Sequence, residues 1–458
     1  MFTINRLFKP IIFVMCVLFI FLALSSVSAA NHDFTTFNTT EQFQSVINND
    51  NDNDLVISFD DGEYVDWGQL NISRNATIVG KNRGGAKFTT SSGGTLFNIN
   101  ATNVKIINLT ISGYTTAIKS NCSDLTISDN NITTSGVSIN LSSSGSANPI
   151  TGVVIKDNII KSSISDFYRG AVSLFGKSDD KTVFDVLFSG NNIIGVFSGV
   201  YLGGGSYDSP VSSANLVFEN NNITGTLGYG VYLYASSSNN TNITFANNNI
   251  TGTSGYGVYL SAYSSNNTNV TFANNNITGT SGNGVYLAAS ISNNTNITFA
   301  NNNITGTSGN GVYLSASISN NTNVTFANNN ITGRSGYGVD LSAYSSNNAN
   351  ITFANNNITG TSNNGVLLSA YSSNNTNVTF ANNNITGTSG NGVSLSADRS
   401  NNTNITFANN NITGTSSYGV YLSASISNNT NVTFTNNNIT GTDASGVYLS
   451  ADSSNNTI

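Results

Sequence analysis

Charge is scarce in this chain: Asp, Glu, Lys and Arg together make up 8% of 458 residues, and no Lys follows Lys181. With a net charge of -7 there is no electrostatic footing for nucleic acid, so no nucleic-acid partner is expected. Cysteine is nearly missing. Cys16 lies in an N-terminal apolar run, which leaves Cys122 alone downstream and excludes an intrachain disulfide there. Beside the apolar pattern of Leu125 and Ile127, Cys122 reads as a small turn or core residue. Histidine occurs once, at His32. Long apolar runs are missing after the first 30 residues.

Those first residues carry Arg6 and Lys9, an apolar run from Ile11 to Leu24, and the small residues Val27-Ser28-Ala29-Ala30. The pattern predicts a secretory signal over 1–30 and a secreted or cell-surface protein. Its 14-residue run is short of the ~20 a spanning helix needs, so contact with a membrane is expected only through this signal or an anchor.

What the chain does have is a period. Phe-x-Asn-Asn-Asn-Ile-Thr-Gly starts at Phe218 and returns at Phe245, Phe272 and onward to Phe434, each step being 27 residues. A unit this short cannot bury its own apolar face, so fixed-period repetition predicts a stacked solenoid. Within one unit Asn242-Ile243-Thr244-Phe245 alternates, Asn247-Asn248-Asn249 turns, Ile250 re-enters the core, and Val258-Tyr259-Leu260 alternates again. The Asn triplet reads as structural, and the Gly before each Val (Gly257, Gly284, Gly311) as a corner residue. Strand, turn, strand, turn, strand, turn in ~27 residues is one three-sided coil, which predicts an all-β right-handed parallel β-helix with three short strands per rung. A propeller needs longer blades, and a leucine-rich repeat needs different Leu phasing. Ile243 alternates strictly with Val270, Ile297 and Val324 along its column, a trace of duplicated two-rung blocks.

Upstream, Thr39 and Gln42 form a capping box before Phe43, Val46 and Ile47, which predicts a short N-terminal capping helix. The expected organisation is therefore 1–30 signal, 31–53 cap with the helix, 54–217 irregular rungs with anchors at Ile106, Ile127, Ile155 and Phe188 that lead to Phe218, and 218–458 regular rungs ending without a cap. Gly203 to Pro210 reads as a loop leaving the stack.

Asp61-Gly62-Glu63-Tyr64, Ile78-Val79-Gly80, Phe97 to Val104 and the Asn-x-Thr-Phe-x-Asn-Asn-Asn-Ile-Thr-Gly arrays resemble parallel β-helix repeat proteins with pectate-lyase-type coils. Among these they are similar to the Asn/Thr-rich adhesin-like surface proteins of methanogenic archaea. The resemblance implies a longer surface protein or layer of which this chain would be a fragment, since it stops at Ile458 inside a repeat.

Pectate-lyase-type coils also host lyases and glycosidases, which need paired carboxylates, or carboxylates with Ca2+ and a basic residue. The regular rungs supply isolated charges such as Arg334, Asp340, Asp398 and Arg399. In the irregular part Asp157, Asp166, Arg169, Asp179, Asp180, Lys181 and Asp185 are close in sequence and read as solvated loop charge. Asp50 to Asp54 reads as a polar turn, because Leu55 stands where a Ca2+ loop needs Gly. No catalytic residue, cofactor or metal is expected, and the chain is expected not to be an enzyme. The first expectation is a secreted adhesin-like stalk binding cell-surface glycans or proteins. The alternative is a carbohydrate-active enzyme with its site between Ile155 and Phe218.

Two sets of residues are candidate sites. Outward positions of the third strand vary from rung to rung and put Tyr259, Tyr286, Tyr313, Tyr421 and Tyr448 in one column, and Tyr263, Tyr344 and Tyr371 in another, as a recognition face. Replacing Tyr259, Tyr286 and Tyr313 by Ser is expected to abolish glycan binding. The Asn-x-Thr sites at Asn242, Asn269, Asn296, Asn323, Asn350, Asn377, Asn404 and Asn431 are candidate N-glycosylation sites on an outward strand face.

Overall fold

The computed structural model describes residues 31–451 apart from 144–148, 177–181, 205–210, 235–239, 262–266, 289–292, 316–319, 343–346 and 427. The expected signal at 1–30, Tyr263 and Tyr344 lie outside the described residues. The chain folds as an all-β right-handed parallel β-helix in which three parallel sheets hold 16, 15 and 15 strands. Each strand pairs with its equivalent one coil away.

A regular coil contributes Asn240–Ala246 to the first sheet, Asn249–Gly252 to the second and Val258–Ser261 to the third. Register is held at one repeat, so that Asn242 faces Asn269 and Phe245 faces Phe272. The unequal upstream units obey the same alignment: Ile106, Ile127, Ile155, Phe188 and Phe218 stand opposite one another. Their differences in length fall in the turns, where an extra residue disturbs no ladder. Gly203 and Gly204 depart from the expected loop. They continue the strand Ser198–Gly204 opposite Phe175 and Gly176, while 205–210 lie outside the described residues.

Ile243, Phe245, Ile250, Val258 and Leu260 are fully buried, and their equivalents above and below extend one continuous core. The Phe rings stack in a column with centroids 4.8 Å apart, the spacing of the strands themselves.

The Asn triplet divides its work among three positions. Asn247 takes the left-handed conformation, φ 57°, that turns the corner. Asn248 is buried: its Nδ2 donates to the Phe218 carbonyl at 2.8 Å and to Asn275 Oδ1 at 3.0 Å, and its backbone N–H donates to the same oxygen at 2.9 Å. The same amide column begins at Asn130 and reaches Asn437, satisfying buried backbone groups that the corner leaves without ladder partners. Asn249 is exposed and donates to Asn222 at 2.9 Å. The glycine before Val answers to crowding and not to a left-handed backbone. A Cβ on Gly284 would stand 2.5 Å from Ile304 Cγ2 and 2.7 Å from the Gly311 carbonyl oxygen.

The N-terminal end is closed by the helix Thr40–Asn49, whose capping box at Thr39 and Gln42 forms as the sequence predicts. Phe43 and Ile47 are buried, with Phe43 against Phe34, Phe59 and Trp67. Gln44 covers the open edge of the third sheet: its Nε2 donates to the Asn71 carbonyl at 3.0 Å and its Oε1 accepts from Asn71 N–H at 3.1 Å. A strand at Asn31–Phe34, which the sequence pattern did not reveal, opens the first sheet by pairing with Leu55–Phe59. His32 Nε2 lies 2.7 Å from Asp50 Oδ2, and the Arg74 guanidinium donates to the carbonyls of Asp50 and Asp52. The Asp50–Asp54 run is thus part of the cap.

Candidate functional site

Outward side chains of the third sheet carry a run of aromatic groups. Tyr201, Tyr232, Tyr259, Tyr286 and Tyr313 follow one another in register. Their ring centroids are 5.4, 4.7, 4.9 and 4.9 Å apart, with interplanar angles of 10°, 7°, 7° and 19°. Coplanar rings would collide at such spacings, so each ring covers part of its neighbour's face. Tyr201 and Tyr232 are buried, so half-buried Tyr259, Tyr286 and Tyr313 present ring edges outward, with an open face only where the series stops. Tyr259 and Tyr286 are stacked on both sides, so the expectation that all three tyrosines act alike narrows to Tyr313, the last ring of the series.

Burial raises the phenol pKa of Tyr201 to about 12 and raises those of Tyr232, Tyr286 and Tyr313 as well. All stay protonated at neutral pH and can both donate and accept hydrogen bonds. The stretch between Lys181 and Arg334 contains no Lys or Arg, so this ladder has no cation within its own rungs.

After Tyr313 the column reads Asp340, Leu367, Ser394 and then Tyr421. Tyr421 stacks on Tyr448 at 5.4 Å. Tyr371 is half-buried in the adjoining turn with Arg399 Cζ 5.6 Å above its ring centroid. Asp340 is half-buried and accepts one hydrogen bond, from Asn310 Nδ2 at 3.3 Å. Burial holds its carboxyl at a pKa of about 6.

Sequence reasoning missed Tyr201 and Tyr232, which lie in the same column before the regular array begins. It also missed a corner column that includes Tyr229, Tyr256, Tyr337 and Tyr418. The signal was present, since the residue preceding the Gly-Val pairs of the coils varies among Tyr, Asn and Ser as freely as the recognition column does. Tyr229 and Tyr256 pack against the ladder at 5.1 to 5.9 Å from Tyr232, Tyr259 and Tyr286.

At the N-terminal head of the ladder Phe167 lies 4.5 Å from Phe197 and 6.0 Å from Tyr232, centroid to centroid. Beside it Arg169 Nε donates to Asp166 Oδ2 at 3.1 Å, and Arg169 Cζ stands 5.3 Å from the Phe175 ring centroid. Asp166, Tyr168 and Arg169 are close enough to Tyr201 to act on its phenol electrostatically. Other charges grouped in the sequence are dispersed. The Asp157 carbonyl accepts from Arg83 at 2.8 Å and the Asp185 carboxylate accepts from Asn215 at 2.7 Å, while Asp179, Asp180 and Lys181 lie outside the described residues. Among the described residues no group of three or more His, Cys, Asp or Glu is placed to hold a metal ion. Cys122 is half-buried in a turn, and burial pushes its thiol pKa up.

The eight candidate glycosylation residues are exposed on the first sheet. They are also linked: Asn269 Nδ2 donates to Asn242 Oδ1 at 2.9 Å, Asn296 to Asn269 at 3.0 Å, and so on to Asn404 on Asn377 at 3.1 Å. The nitrogen that would carry a glycan is the donor of that ladder.

With this geometry the class is a right-handed parallel β-helix with a tyrosine-bearing sheet, and the comparisons with known proteins agree on the fold. Residues 95–277 match the family model described as a right handed beta helix region. No curated protein sequence matches the chain. Among solved structures, the A-module of mannuronan C-5 epimerase AlgE4 from Azotobacter vinelandii is 16% identical, with a TM-score of 0.47 over 75% of this chain and 90% of that one. A PL6 family polysaccharide lyase from Pseudopedobacter saltans is 11% identical, with a TM-score of 0.39 over 71% and 85%. The catalytic domain of a GH87 alpha-1,3-glucanase, solved with tetrasaccharides, is 13% identical, with a TM-score of 0.40 over 92% and 68%. The expectation that the chain is not an enzyme is corrected here, because the matched solved structures include polysaccharide lyases, epimerases and glucanases. At these identities and TM-scores they assign no activity.

Proposed function

We propose that the protein is an extracellular carbohydrate-active β-helix that engages a polysaccharide along its third sheet. The observation that carries this reading is the register of aromatic and hydroxyl groups from Tyr201 to Tyr313, repeated at the strand spacing and continued by Asp340 and Tyr421. A polymer of sugar rings offers apolar faces and hydroxyls in a linear series, and this sheet offers protonated phenols and an open ring face in another. Chemistry on the bound polymer belongs to the head of the ladder. There the Arg169 guanidinium, oriented by Asp166, can donate hydrogen bonds to hydroxyl oxygens of the polymer.

The adhesin-like reading is favoured by a separate observation, the near-identity of successive rungs. An exact repeat lengthens a shaft without altering its faces. Display at a cell surface is compatible with polysaccharide engagement, and the eight outward Asn residues are the proposed glycan acceptors where their ladder is open.

A polysaccharide array read for binding, paired with product analysis by mass spectrometry, tests the proposal. Binding, with release of shortened products that Arg169→Ala removes, is the expected result. Absence of any polysaccharide ligand would overturn it.

A further inference from the structure

The tyrosine ladder is interrupted once and then resumes. Asp340, Leu367 and Ser394 occupy the three intervening positions, so Tyr313 turns its uncovered ring face toward Asp340 and Tyr421 turns its own toward Ser394. Three rungs amount to ~14 Å along the sheet. This break is a notch with an aromatic wall at each end, an apolar side chain and a small hydroxyl on its floor, and a carboxylate against one wall.

The carboxylate is the unusual member. Asn310 anchors it, donating through Nδ2 to Asp340 Oδ2 at 3.3 Å while its Oδ1 accepts the Tyr337 backbone N–H at 2.9 Å. Among the described residues no Lys or Arg forms an ion pair with it. Nearby phenols are raised in pKa by burial and then by its charge, at both Tyr313 and Tyr337, which places the carboxylate beside two rings. The flanking cation Arg399 is engaged over Tyr371, and Arg334 is exposed at the corner. A half-buried carboxylate bordered by tyrosines and lacking a protein cation is the arrangement that receives an organic ammonium group, which gains an ion pair and cation–π contact together.

We propose that the break at Asp340 is a binding site for a sugar carrying a free amine. The Asp340 carboxylate pairs with the ammonium, and the open face of Tyr313 packs against the apolar face of the sugar ring. This inference rests on the polysaccharide reading and names the sugar chemistry that reading leaves open. It also runs against an acidic polymer, whose carboxylates would meet Asp340 in an acidic chain.

Calorimetric titration with three oligosaccharides of equal length, β-1,4-linked glucosamine, its N-acetylated counterpart and β-1,4-linked glucose, separates the outcomes. The amine-bearing oligomer is expected to bind about tenfold more tightly than the other two, the strength of one charge-assisted contact. Asp340→Asn, which keeps the shape and removes the charge, is expected to erase that difference, and Tyr313→Ser to weaken all binding. Equal affinity for the three oligomers, or a preference that survives Asp340→Asn, would overturn the amine site while leaving polysaccharide binding in place. If these three and the wider polysaccharide array all fail to bind, the broader reading falls with it.

Discussion

At the scale of single residues, the two Asn and Asp environments make opposite predictions. Asn302 is buried, donates to the Phe272 carbonyl at 2.9 Å and to Asn329 Oδ1 at 3.0 Å, and accepts from Asn275. Asn302→Ala strands the Asn275 N–H and the Phe272 carbonyl away from water and is expected to cost about 3 kcal/mol, measured as a loss in urea stability. Asp340 is the reverse case. Its folded pKa of about 6 lies above the ordinary carboxylate value of 3.8, so the folded chain holds the proton more tightly than the unfolded one. The resulting penalty is fully present above the folded pKa, shrinks as pH falls through that window, and is absent below the unfolded value. Asp340→Asn is therefore expected to stabilise the protein by about 2 kcal/mol at neutral pH and to have no such effect in acid, a difference readable from unfolding curves across that window. A residue that costs stability and sits on an outward face fits a binding role better than a packing one. Its identity was visible in the sequence as an isolated charge. Its place one repeat after Tyr313 was legible from the 27-residue period, whereas its bond to Asn310, which belongs to another column, was not.

At the scale of elements, the coil was legible because each position recurs in register and the columns could be compared. Inward residues keep their size, corner residues keep Asn or Gly, and outward residues of the third strand drift. The strand Asn31–Phe34 was not legible: it is short, it includes both polar and charged residues, and its partner Leu55–Phe59 is supplied from beyond the cap helix. Burial of Phe34 in the cap and the His32–Asp50 contact define it, and both are tertiary facts. Two substitutions test the elements. Gly284→Ala drives a methyl into Ile304 and the Gly311 carbonyl, and is expected to destabilise by about 1 to 3 kcal/mol by thermal or urea unfolding, as overpacking does. Gln44→Ala uncovers Asn71 at the edge of the third sheet. Faster amide exchange at Leu70–Ile72, with the second and third sheets beyond Phe97 unchanged, is the expected pattern in hydrogen-exchange mass spectrometry.

At the scale of the whole molecule, three sheets of 15 or 16 strands make a shaft ~70 Å long, with a capped N-terminal end and one face that differs from the other two. The first and second sheets carry outward Asn ladders that barely change. The third changes along its length, from aromatic head to tyrosine ladder to notch. Ile and Val alternate in the core column at Ile243, Val270, Ile297 and Val324, so the repetition keeps its two-rung signature inside while the outer face diverges. The sequence displayed that variable face but not the direction of its rings. Stacking at the strand spacing closes most tyrosine faces and leaves those beside Asp340 and Ser394 open, a consequence of register that side-chain identity alone does not convey.

Hydroxyl-radical footprinting of the protein with and without the polysaccharide that binds it tests the central claim most directly. The account predicts protection of Tyr313, Tyr337 and Tyr421 on the third sheet, with the outward residues of the first and second sheets modified as before. Protection centred on the Asn ladder of the first sheet, with the third sheet unchanged, would contradict it.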